Sequence, residues 1–232
     1  MSTPAIAMPA AADPVRLPQP SLAARRIGPG PASFTGAAVL DDAGGRARVV
    51  RFESLEERRC ILCLAIDPLT REMREQVEFG WWDGEGRLRT HYFDLVVLQH
   101  DGRRVAYSIK PAARMTERFL AEIGPIGRQA VEAGFAHDVR LLSAADFDPV
   151  TRRNAELLHA ARHPDPEADA AAREAVRGMN GTSTLEALTR RTGLEGRGFR
   201  ALLRLVRSRV LGAVGHPPLA PETEVFLQGA AR

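Results

Sequence analysis

The sequence predicts an α/β protein that ends in a separate, basic and mainly helical module. Apolar residues recur at strand spacing in three consecutive segments, and stretches with helical spacing flank those segments. The chain has 232 residues, 44% of them apolar and 26% charged, and is therefore long enough for two domains with their own cores. Residues 1–170 carry 22 basic and 24 acidic side chains, whereas residues 171–232 carry 10 and 5. The positive charge of the second part indicates a module that faces a polyanion.

The first elements follow from composition and from helix caps. Residues 1–32 are rich in alanine and proline and predict a disordered tail. Short apolar runs between residues 33 and 50 predict strand and turn. Ser54, with Glu57 three residues later, has capping-box spacing for a helix that Pro68 ends. Glu57 falls in the middle of that helix's apolar face, which leaves two interpretations open: a cap, or a role in a buried site.

Three strands follow, at residues 76–82, 87–98 and 104–110. The second hairpin requires an odd-numbered loop with Gly102 at a positive-φ bulge position, because only that loop keeps its apolar residues on one face. The pairs that this register predicts are Val97 with Val105, Leu95 with Tyr107, and Phe93 with Ile109. The residues that it predicts on the opposite face are Tyr92, Asp94, Ser108 and Lys110, with Asp94 beside Ser108. Alternation therefore collects an acid and a lysine on one side of the sheet.

The remainder of the first module alternates between helix and strand. Residues 116–133 predict a helix interrupted near Gly124-Pro125, residues 138–143 a short buried strand, and residues 149–162 another helix. The order helix, three strands, helix, strand, helix is an α/β arrangement. Residues 163–169, which contain two prolines, predict a linker.

The second module, residues 170–232, has the pattern of a helix-turn-helix. Helical spacing from Thr184 stops at Gly193, a second helix spans residues 197–210, and the following segment predicts a wing. Seven arginines and one acid lie between residues 190 and 209. Because nonspecific DNA affinity is mostly phosphate neutralisation, we expect this module to bind double-stranded DNA; the alternative is a small helical domain with an arginine-covered solvent face. The residues predicted to contact DNA are Arg190, Arg191, Arg197, Arg200 and Arg204.

Composition singles out one side chain and excludes some classes of protein. Lys110 is the one lysine among 32 basic residues, and a lysine can lose its proton where an arginine cannot; the alternative is chance retention at the surface. Cys60 and Cys63 lie in an apolar helical run, and a lone C-x-x-C is a poor zinc site, so both are predicted core residues. No apolar run approaches the ~20 residues of a membrane span, and the first residues lack the features of a signal peptide. We therefore expect a cytoplasmic protein that does not associate with a membrane.

Glu57, Asp94 and Lys110 form a set that suits phosphodiester hydrolysis. Carboxylates bind Mg²⁺ or Mn²⁺ through hard oxygen ligands, and the metal polarises the phosphate and lowers the pKa of bound water. Lysine can orient or deprotonate that water and offset developing charge, whereas arginine stays protonated. We therefore predict Glu57 and Asp94 as metal ligands. Lys110 is predicted to orient or deprotonate the attacking water and to offset charge in the transition state.

Several motifs occur here in the order and spacing of a known family. They are Ser33-Phe34-Thr35-Gly36, Phe52-Glu53-Ser54 followed by Glu57-Arg58, Asp67-Pro68, Glu75-Gln76, Tyr92-Phe93-Asp94 and Lys110-Pro111. Over residues 33–114, about a third of the chain, the sequence resembles the TnsA-like transposon endonucleases of the PD-(D/E)XK superfamily. The resemblance implies a restriction-endonuclease-like fold over residues 33–162. It also implies Mg²⁺ or Mn²⁺ as cofactor, and a transposase with other transposition proteins as partners.

The resemblance assigns the family's glutamate, aspartate and lysine to Glu57, Asp94 and Lys110. Ser108 stands where the family has a glutamine or glutamate, and it is predicted to assist through its hydroxyl group although serine is a weaker metal ligand. A second departure is His91-Tyr92-Phe93, which replaces the usual threonine-proline before the aspartate. The sequence therefore predicts a metal-dependent DNA endonuclease that acts at transposon ends with a transposase. The alternative is a catalytically silent DNA-binding adaptor or regulator that keeps the nuclease fold.

Overall fold

The computed structural model describes residues 17–25, 28, 34–41 and 46–228, which form two parts that share a helix. The elements of the first part are, in chain order, β1 (Gly36–Asp41), β2 (Ala47–Phe52), α1 (Leu55–Ile66), β3 (Thr70–Trp82), β4 (Leu88–Gln99), β5 (Arg104–Ile109), α2 (Glu117–Glu132), β6 (Asp138–Leu142) and α3 (Pro149–Ala160). Those of the second part are α4 (Pro166–Val176), β7 (Thr182–Thr184), α5 (Leu185–Thr192), α6 (Glu195–Arg207), β8 (Leu211–Ala213) and β9 (Glu224–Leu227). From α1 to α3 the predicted order of helices and strands is confirmed.

A four-stranded mixed sheet in the order β3-β4-β5-β6 is the centre of the first part. Its strands pair antiparallel except for β5 and β6, which are parallel. Helix α1 covers one face of the sheet with Ile61 and Leu64, together with the β1–β2 hairpin. Helix α2 covers the other face with Ile123 and Ile126. The structure thus confirms an α/β fold with a mixed sheet flanked by helices.

Cys60 and Cys63 are unpaired and buried in the core beneath α1, as the sequence predicts. Burial raises the pKa of the Cys63 thiol to about 12, and burial raises the pKa of the Cys60 thiol as well. A thiol with a raised pKa is a poor nucleophile and a poor metal ligand. Both cysteines therefore fill the core.

The predicted register of the β4–β5 hairpin is confirmed for the pairs nearest the turn, as far as Leu95 and Tyr107. Leu95 pairs with Tyr107, and Val97 pairs with Val105. Gly102 has a φ of 86°, the positive value that the bulge position requires. These apolar side chains all pack in the core beneath α1, so side-chain alternation sets the register here.

The predicted pair of Phe93 with Ile109 is wrong. The pairing of β4 with β5 ends at Leu95, and the two predicted partners pack on opposite faces of the sheet. Phe93 packs in the core beneath α2, whereas Leu95 and Ile109 pack in the core beneath α1. The alternation of β4 therefore changes phase at Asp94, the residue between Phe93 and Leu95.

Strand β3 begins at Thr70, whereas the sequence predicts its start at residue 76. The early half is charged, and Glu75 within it is completely buried. This carboxylate forms an ion pair with Arg48 of β2 at 3.0 Å, and the Arg48 guanidinium also donates to the carbonyl of Met73. A buried acid with a buried partner occupies a place where the strand pattern requires an apolar residue.

Helix α2 runs without interruption through Pro125, so the predicted break near Gly124-Pro125 is wrong. A proline inside a helix costs about 3 kcal/mol because it removes a hydrogen bond and crowds the preceding turn. Close packing offsets that cost: a Cβ added at Gly127 would lie 3.3 Å from Val139 of β6. In the described part of the chain no helix, including α2 with its 16 residues, is long and apolar enough to cross a membrane.

The second part packs α4, α5 and α6 against a three-stranded sheet in the order β7-β9-β8. The two helices that the sequence predicts on either side of Gly193 are α5 and α6, and Gly193 adopts the left-handed conformation at φ 66°. The predicted linker over residues 163–169 is wrong in its second half. Asp165 caps α4 by accepting a hydrogen bond from the Ala168 N–H, and the helix begins at Pro166.

Helix α3 belongs to both parts of the molecule. Ala155 packs in the core beneath α1, whereas Leu158 and Ala161 pack in the core of the second part. Polar contacts add to this junction. They join Asn154 to Pro217 and Leu219, Asp148 to His216, Asp41 to Arg207, and the carbonyls of Asp67 and Pro68 to Arg209. The segment between β8 and β9 therefore lies against α3.

Part of the predicted disordered tail is packed on the first part. Gln19 forms two main-chain hydrogen bonds with β2, and the Ser21 hydroxyl donates to the Glu75 carboxylate at 2.5 Å. The prediction of disorder is therefore wrong for residues 17–25. The remaining tail prediction, and the predicted turn before β2, fall on residues 1–16, 26–27, 29–33 and 42–45, which lie outside the described residues.

Candidate active site

The N-terminus of α1 fixes the position of Glu57. Ser54 caps the helix by accepting a hydrogen bond from the Glu57 N–H at 3.1 Å, and its hydroxyl donates to Glu57 Oε1 at 3.0 Å. Glu57 Oε2 accepts from the N–H of Glu53 at 2.9 Å, one residue before the position that a capping box uses. Glu57 is 7% exposed, so it is a cap residue and a buried carboxylate at once.

The environment of Glu57 opposes its ionisation. Burial raises its pKa, and the hydrogen bonds from the Glu53 main chain and the Ser54 hydroxyl act against that rise. The negative charges of Asp94 and Glu53 raise the pKa further. The charge of Asp94 therefore contributes to the raised pKa of Glu57.

Asp94 lies where β4 separates from β5. Its Oδ2 accepts a hydrogen bond from the N–H of Ile109 at 2.7 Å, so the carboxylate replaces a strand partner at the end of β5. Oδ1 accepts from Gln76 Nε2 at 3.4 Å. Burial raises the pKa of Asp94, although the Lys110 charge and these two hydrogen bonds act in the opposite direction. The residue at which the alternation of β4 changes phase is thus held by contacts from both neighbouring strands.

Lys110 follows β5, and its Nζ lies 4.0 Å from Asp94 Oδ2. The Lys110 N–H donates to the carbonyl of Leu142 on β6 at 3.0 Å, which fixes its backbone. The side chain is 40% exposed, whereas that of Asp94 is 11% exposed. The structure therefore brings the predicted aspartate and lysine together, with the ammonium group open to solvent.

Three further polar side chains surround this group, although the sequence does not assign them a role: Arg25, Glu53 and Gln76. The Arg25 Nε donates to Gln76 Oε1 at 2.8 Å, and a terminal nitrogen of the guanidinium pairs with the Glu53 carboxylate. The same guanidinium lies over the Tyr92 ring, 5.6 Å from its centroid. No local signal identifies Arg25, because 51 positions separate it from Gln76 and it belongs to a segment without periodicity.

The sequence predicts Ser108 beside Asp94, whereas the contact that the structure shows for the Ser108 side chain is with His91. Ser108 is 2% exposed, and its Oγ lies 3.4 Å from His91 Nε2. The phase change at Asp94 explains the difference, because alternation counted through that residue assigns the wrong neighbours. His91 is part of these surroundings: burial and then the charge of Lys110 lower its pKa.

The carboxylates of Glu57 and Asp94 have the chemistry that a hard divalent cation requires of its ligands. Among the described residues, no three or more His, Cys, Asp or Glu side chains are placed together to hold a metal ion. Mg²⁺ is commonly held by one or two carboxylates, with water and substrate phosphate as its other ligands. Glu57 is buried, and the Asp94 side chain is 11% exposed. Both pKa values are raised, first by burial, so a positive charge at these carboxylates would offset the cost of burying them and the repulsion that Asp94 exerts on Glu57.

The five arginines predicted to bind DNA fall into two groups. Arg197 pairs with Asp165 and Glu167, and Arg204 pairs with Asp169, so both hold α6 against α4. The other three are exposed, and no partner for them is found among the residues that the structure describes; they are Arg190, Arg191 and Arg200. The structure therefore leaves three of the five predicted residues free to contact a polyanion.

The resemblance noted for residues 33–114 concerns the part of the chain that holds Glu57, Asp94 and Lys110. No protein-family model and no curated protein sequence matches this chain.

Proposed function

We propose that this protein is a metal-dependent DNA endonuclease, with Glu57 and Asp94 as metal ligands and Lys110 as the catalytic residue. One observation carries the proposal: the Asp94 carboxylate lies 4.0 Å from the ammonium of the chain's single lysine, and burial, together with the charge of Asp94, raises the pKa of the buried Glu57 carboxylate. Burying two acids near each other is costly for stability, and such pairs are typical of catalytic sites. The resemblance to the TnsA-like transposon endonucleases supports the same assignment.

Each residue of the proposed site has a role that its contacts support. A bound Mg²⁺ or Mn²⁺ would polarise the scissile phosphate and lower the pKa of its water. Glu57 and Asp94 provide oxygen ligands for that ion, and the Ile109 N–H keeps Asp94 in place. Lys110 orients the attacking water and offsets negative charge that develops on the phosphate, because its ammonium is both exposed and next to Asp94.

The fold supports finer assignments in both parts. A mixed sheet with α1 and α2 on opposite faces is compatible with a restriction-endonuclease-like domain. The second part has the element order α4, β7, α5, α6, β8, β9 and the sheet order β7-β9-β8, which are typical of a winged helix-turn-helix domain. On these grounds we propose double-stranded DNA as the substrate. The resemblance to the TnsA-like transposon endonucleases is the basis for proposing a transposase and other transposition proteins as partners.

The cleavage assay uses the full-length protein and supercoiled plasmid DNA. We expect nicked or linear products with Mg²⁺ or Mn²⁺, and none with EDTA. Asp94→Ala should abolish them because the substitution removes one of two carboxylate ligands. Asp101→Ala, in the exposed turn between β4 and β5, is the matched control and should cleave like the wild type. Cleavage that persists undiminished in the Asp94→Ala protein would overturn the proposal.

DNA binding is expected to depend on Arg190, Arg191 and Arg200. Replacing each by glutamine should weaken binding and reduce the slope of log K against log salt by about 1 per lost phosphate contact. Fluorescence anisotropy with a labelled duplex at several salt concentrations measures both quantities. Arg197→Gln is the control, because this arginine is paired with Asp165 and Glu167 and should alter stability more than the salt slope. A larger loss of slope in the control would place the DNA surface at Arg197, beside the start of α4, and not at the three unpaired arginines.

A catalytically silent DNA-binding adaptor or regulator is a second candidate, favoured by the position of Ser108. The resembled family has a glutamine or glutamate there, whereas Ser108 contacts His91 and provides no carboxylate. Under this alternative, the wild-type protein binds DNA with the salt dependence given above but produces no cleavage with Mg²⁺ or Mn²⁺. The result should be the same with and without a transposase.

A further inference from the structure

Gln76 has a backbone conformation that is unusual inside a strand. Its φ is 49°, and it lies in the middle of β3 between the pairs Glu75–Leu95 and Val77–Phe93. A residue other than glycine in this left-handed region costs on the order of 1–3 kcal/mol and persists where surrounding contacts require it. The other described non-glycine residues with positive φ, Glu195 and Arg209, lie at the start of α6 and just after it. Gln76 therefore adopts a strained conformation in an element that normally excludes it.

The strain has a consequence for burial. In a regular strand two successive side chains point to opposite faces. Here Glu75 and Gln76 are both buried, at 0% and 1% exposure. Glu75 pairs with Arg48, while Gln76 points at the Asp94 carboxylate opposite it in β4. The left-handed turn of the backbone therefore delivers an amide side chain to Asp94.

The hydrogen bonds of Gln76 fix which end of its amide faces Asp94. The Arg25 guanidinium is a donor only, so the amide must present Oε1 to it. The Nε2 group is then directed to Asp94 Oδ1, which can only accept when the carboxylate is ionised. The N–H of Ala24 donates to the Gln76 carbonyl at 3.1 Å and attaches the same segment to β3. Two hydrogen bonds therefore follow one another: Arg25 donates to the Gln76 amide, and the Gln76 amide donates to Asp94.

The Asp94 carboxylate is consequently held at both oxygens. Ile109 holds Oδ2 at 2.7 Å, and Gln76 holds Oδ1 at 3.4 Å. Rotation about the terminal bond of an aspartate is otherwise broad, so a single hydrogen bond leaves the carboxylate plane poorly defined. We infer that Gln76 is a positioning residue that holds the Asp94 carboxylate in the orientation required by the proposed site, and that Arg25 sets the Gln76 amide for this task. The inference rests on the proposed endonuclease function only for its catalytic consequence.

The decisive substitution is Gln76→Gly, because glycine accepts the left-handed conformation without strain while the amide is removed. At saturating metal and DNA we expect the cleavage rate to fall by roughly 10–100-fold, as is usual when a residue that orients a metal ligand is lost. The KM for DNA should not change, since Gln76 is buried. Gln76→Asn keeps a residue that tolerates this conformation, and its shorter amide should give a similar loss. Gln129→Ala is the matched control, because Gln129 makes two hydrogen bonds to the main chain of Trp82.

A second readout does not depend on cleavage. Hydrogen exchange of the Ile109 amide, followed by NMR in metal-free protein, reports on the bond between this N–H and Asp94. We expect Gln76→Gly to increase that exchange rate roughly tenfold, which corresponds to the net worth of one hydrogen bond. Exchange of the Lys110 amide, which donates to Leu142, should not change. Arg25→Ala should have a smaller effect in the same direction, because the amide remains but can rotate.

The two readouts separate failure of this inference from failure of the proposed function. If the wild type does not cleave DNA but Ile109 exchange rises in Gln76→Gly, the positioning role holds and the endonuclease assignment fails. If the wild type cleaves, and Gln76→Gly matches Gln129→Ala in both rate and Ile109 exchange, the positioning role is wrong.

Discussion

Lys110→Ala is expected to reduce metal-dependent DNA cleavage by roughly 10²–10⁴-fold, the range for loss of an acid–base group or a charge-stabilising group. The Lys110 side chain is 40% exposed, so its truncation should leave the fold intact. The expected loss is therefore in the cleavage step and not in the amount of folded protein. Single-turnover cleavage at saturating Mg²⁺ or Mn²⁺ measures it directly.

Lys110→Arg separates the two roles that a lysine can have at this position. Arginine keeps the positive charge next to Asp94 but stays protonated. If Lys110 only offsets charge on the phosphate, the Lys110→Arg variant should recover much of the lost rate. If Lys110 deprotonates water, the Lys110→Arg variant should remain as slow as Lys110→Ala. Arg103→Ala, in the exposed turn before β5, serves as the control for the loss of one surface charge. A rate for Lys110→Ala that equals that of this control would remove Lys110 from the site.

The second large effect is expected at the ion pair between Arg48 and Glu75. Arg48→Ala or Glu75→Ala should lower the free energy of unfolding by about 3–5 kcal/mol, because each substitution leaves an unpaired charge in the core. The side chains are 6% and 0% exposed, and Glu75 also accepts from the Ser21 hydroxyl. Loss of the carboxylate should therefore loosen the N-terminal segment as well as the link between β2 and β3. Urea denaturation followed by circular dichroism measures the loss.

The control for this prediction is the exposed pair of Arg74 and Glu72, at 3.1 Å on the same strand. Arg74→Ala should change stability by less than ~1 kcal/mol, as surface ion pairs do. In the double substitution Arg48→Met with Glu75→Leu, the two changes should not add, because apolar partners leave no buried charge. A loss below 1 kcal/mol for Glu75→Ala alone would mean that water reaches this pair.

The elements that the sequence predicts correctly depend on local physics. Ser54 caps α1 because a hydroxyl three residues before Glu57 is within reach of its N–H. Gly193 ends α5 because glycine adopts the left-handed conformation at no steric cost. Alternation fixes the register at Leu95 and Val97 because both must be buried on one face. None of these features requires information from a distant part of the chain.

The site depends on contacts that no local pattern contains. Asp94 and Lys110 do meet, but the Ser108 side chain contacts His91 and not Asp94, because β4 changes phase at Asp94, opposite the strained residue in β3. The strained residue is Gln76, and its side chain accepts a hydrogen bond from Arg25, which belongs to a segment without periodicity. Alternation counted along one strand cannot reveal an irregularity that a neighbouring strand and a distant segment impose.

The shared helix α3 makes the two parts one thermodynamic unit. Without the second part, Leu158 and Ala161 would be exposed to water, and without the first part Ala155 would lose its core. Cooperative unfolding of both parts is therefore expected, with no independent swivelling of α5 and α6. If α5 and α6 bind DNA and Asp94 is at the cleavage site, a fixed distance would separate the two sites. The phosphate at Asp94 would then lie a constant number of base pairs from the DNA segment bound by α5 and α6. Rigidity at α3 would in this way set the position of the cut.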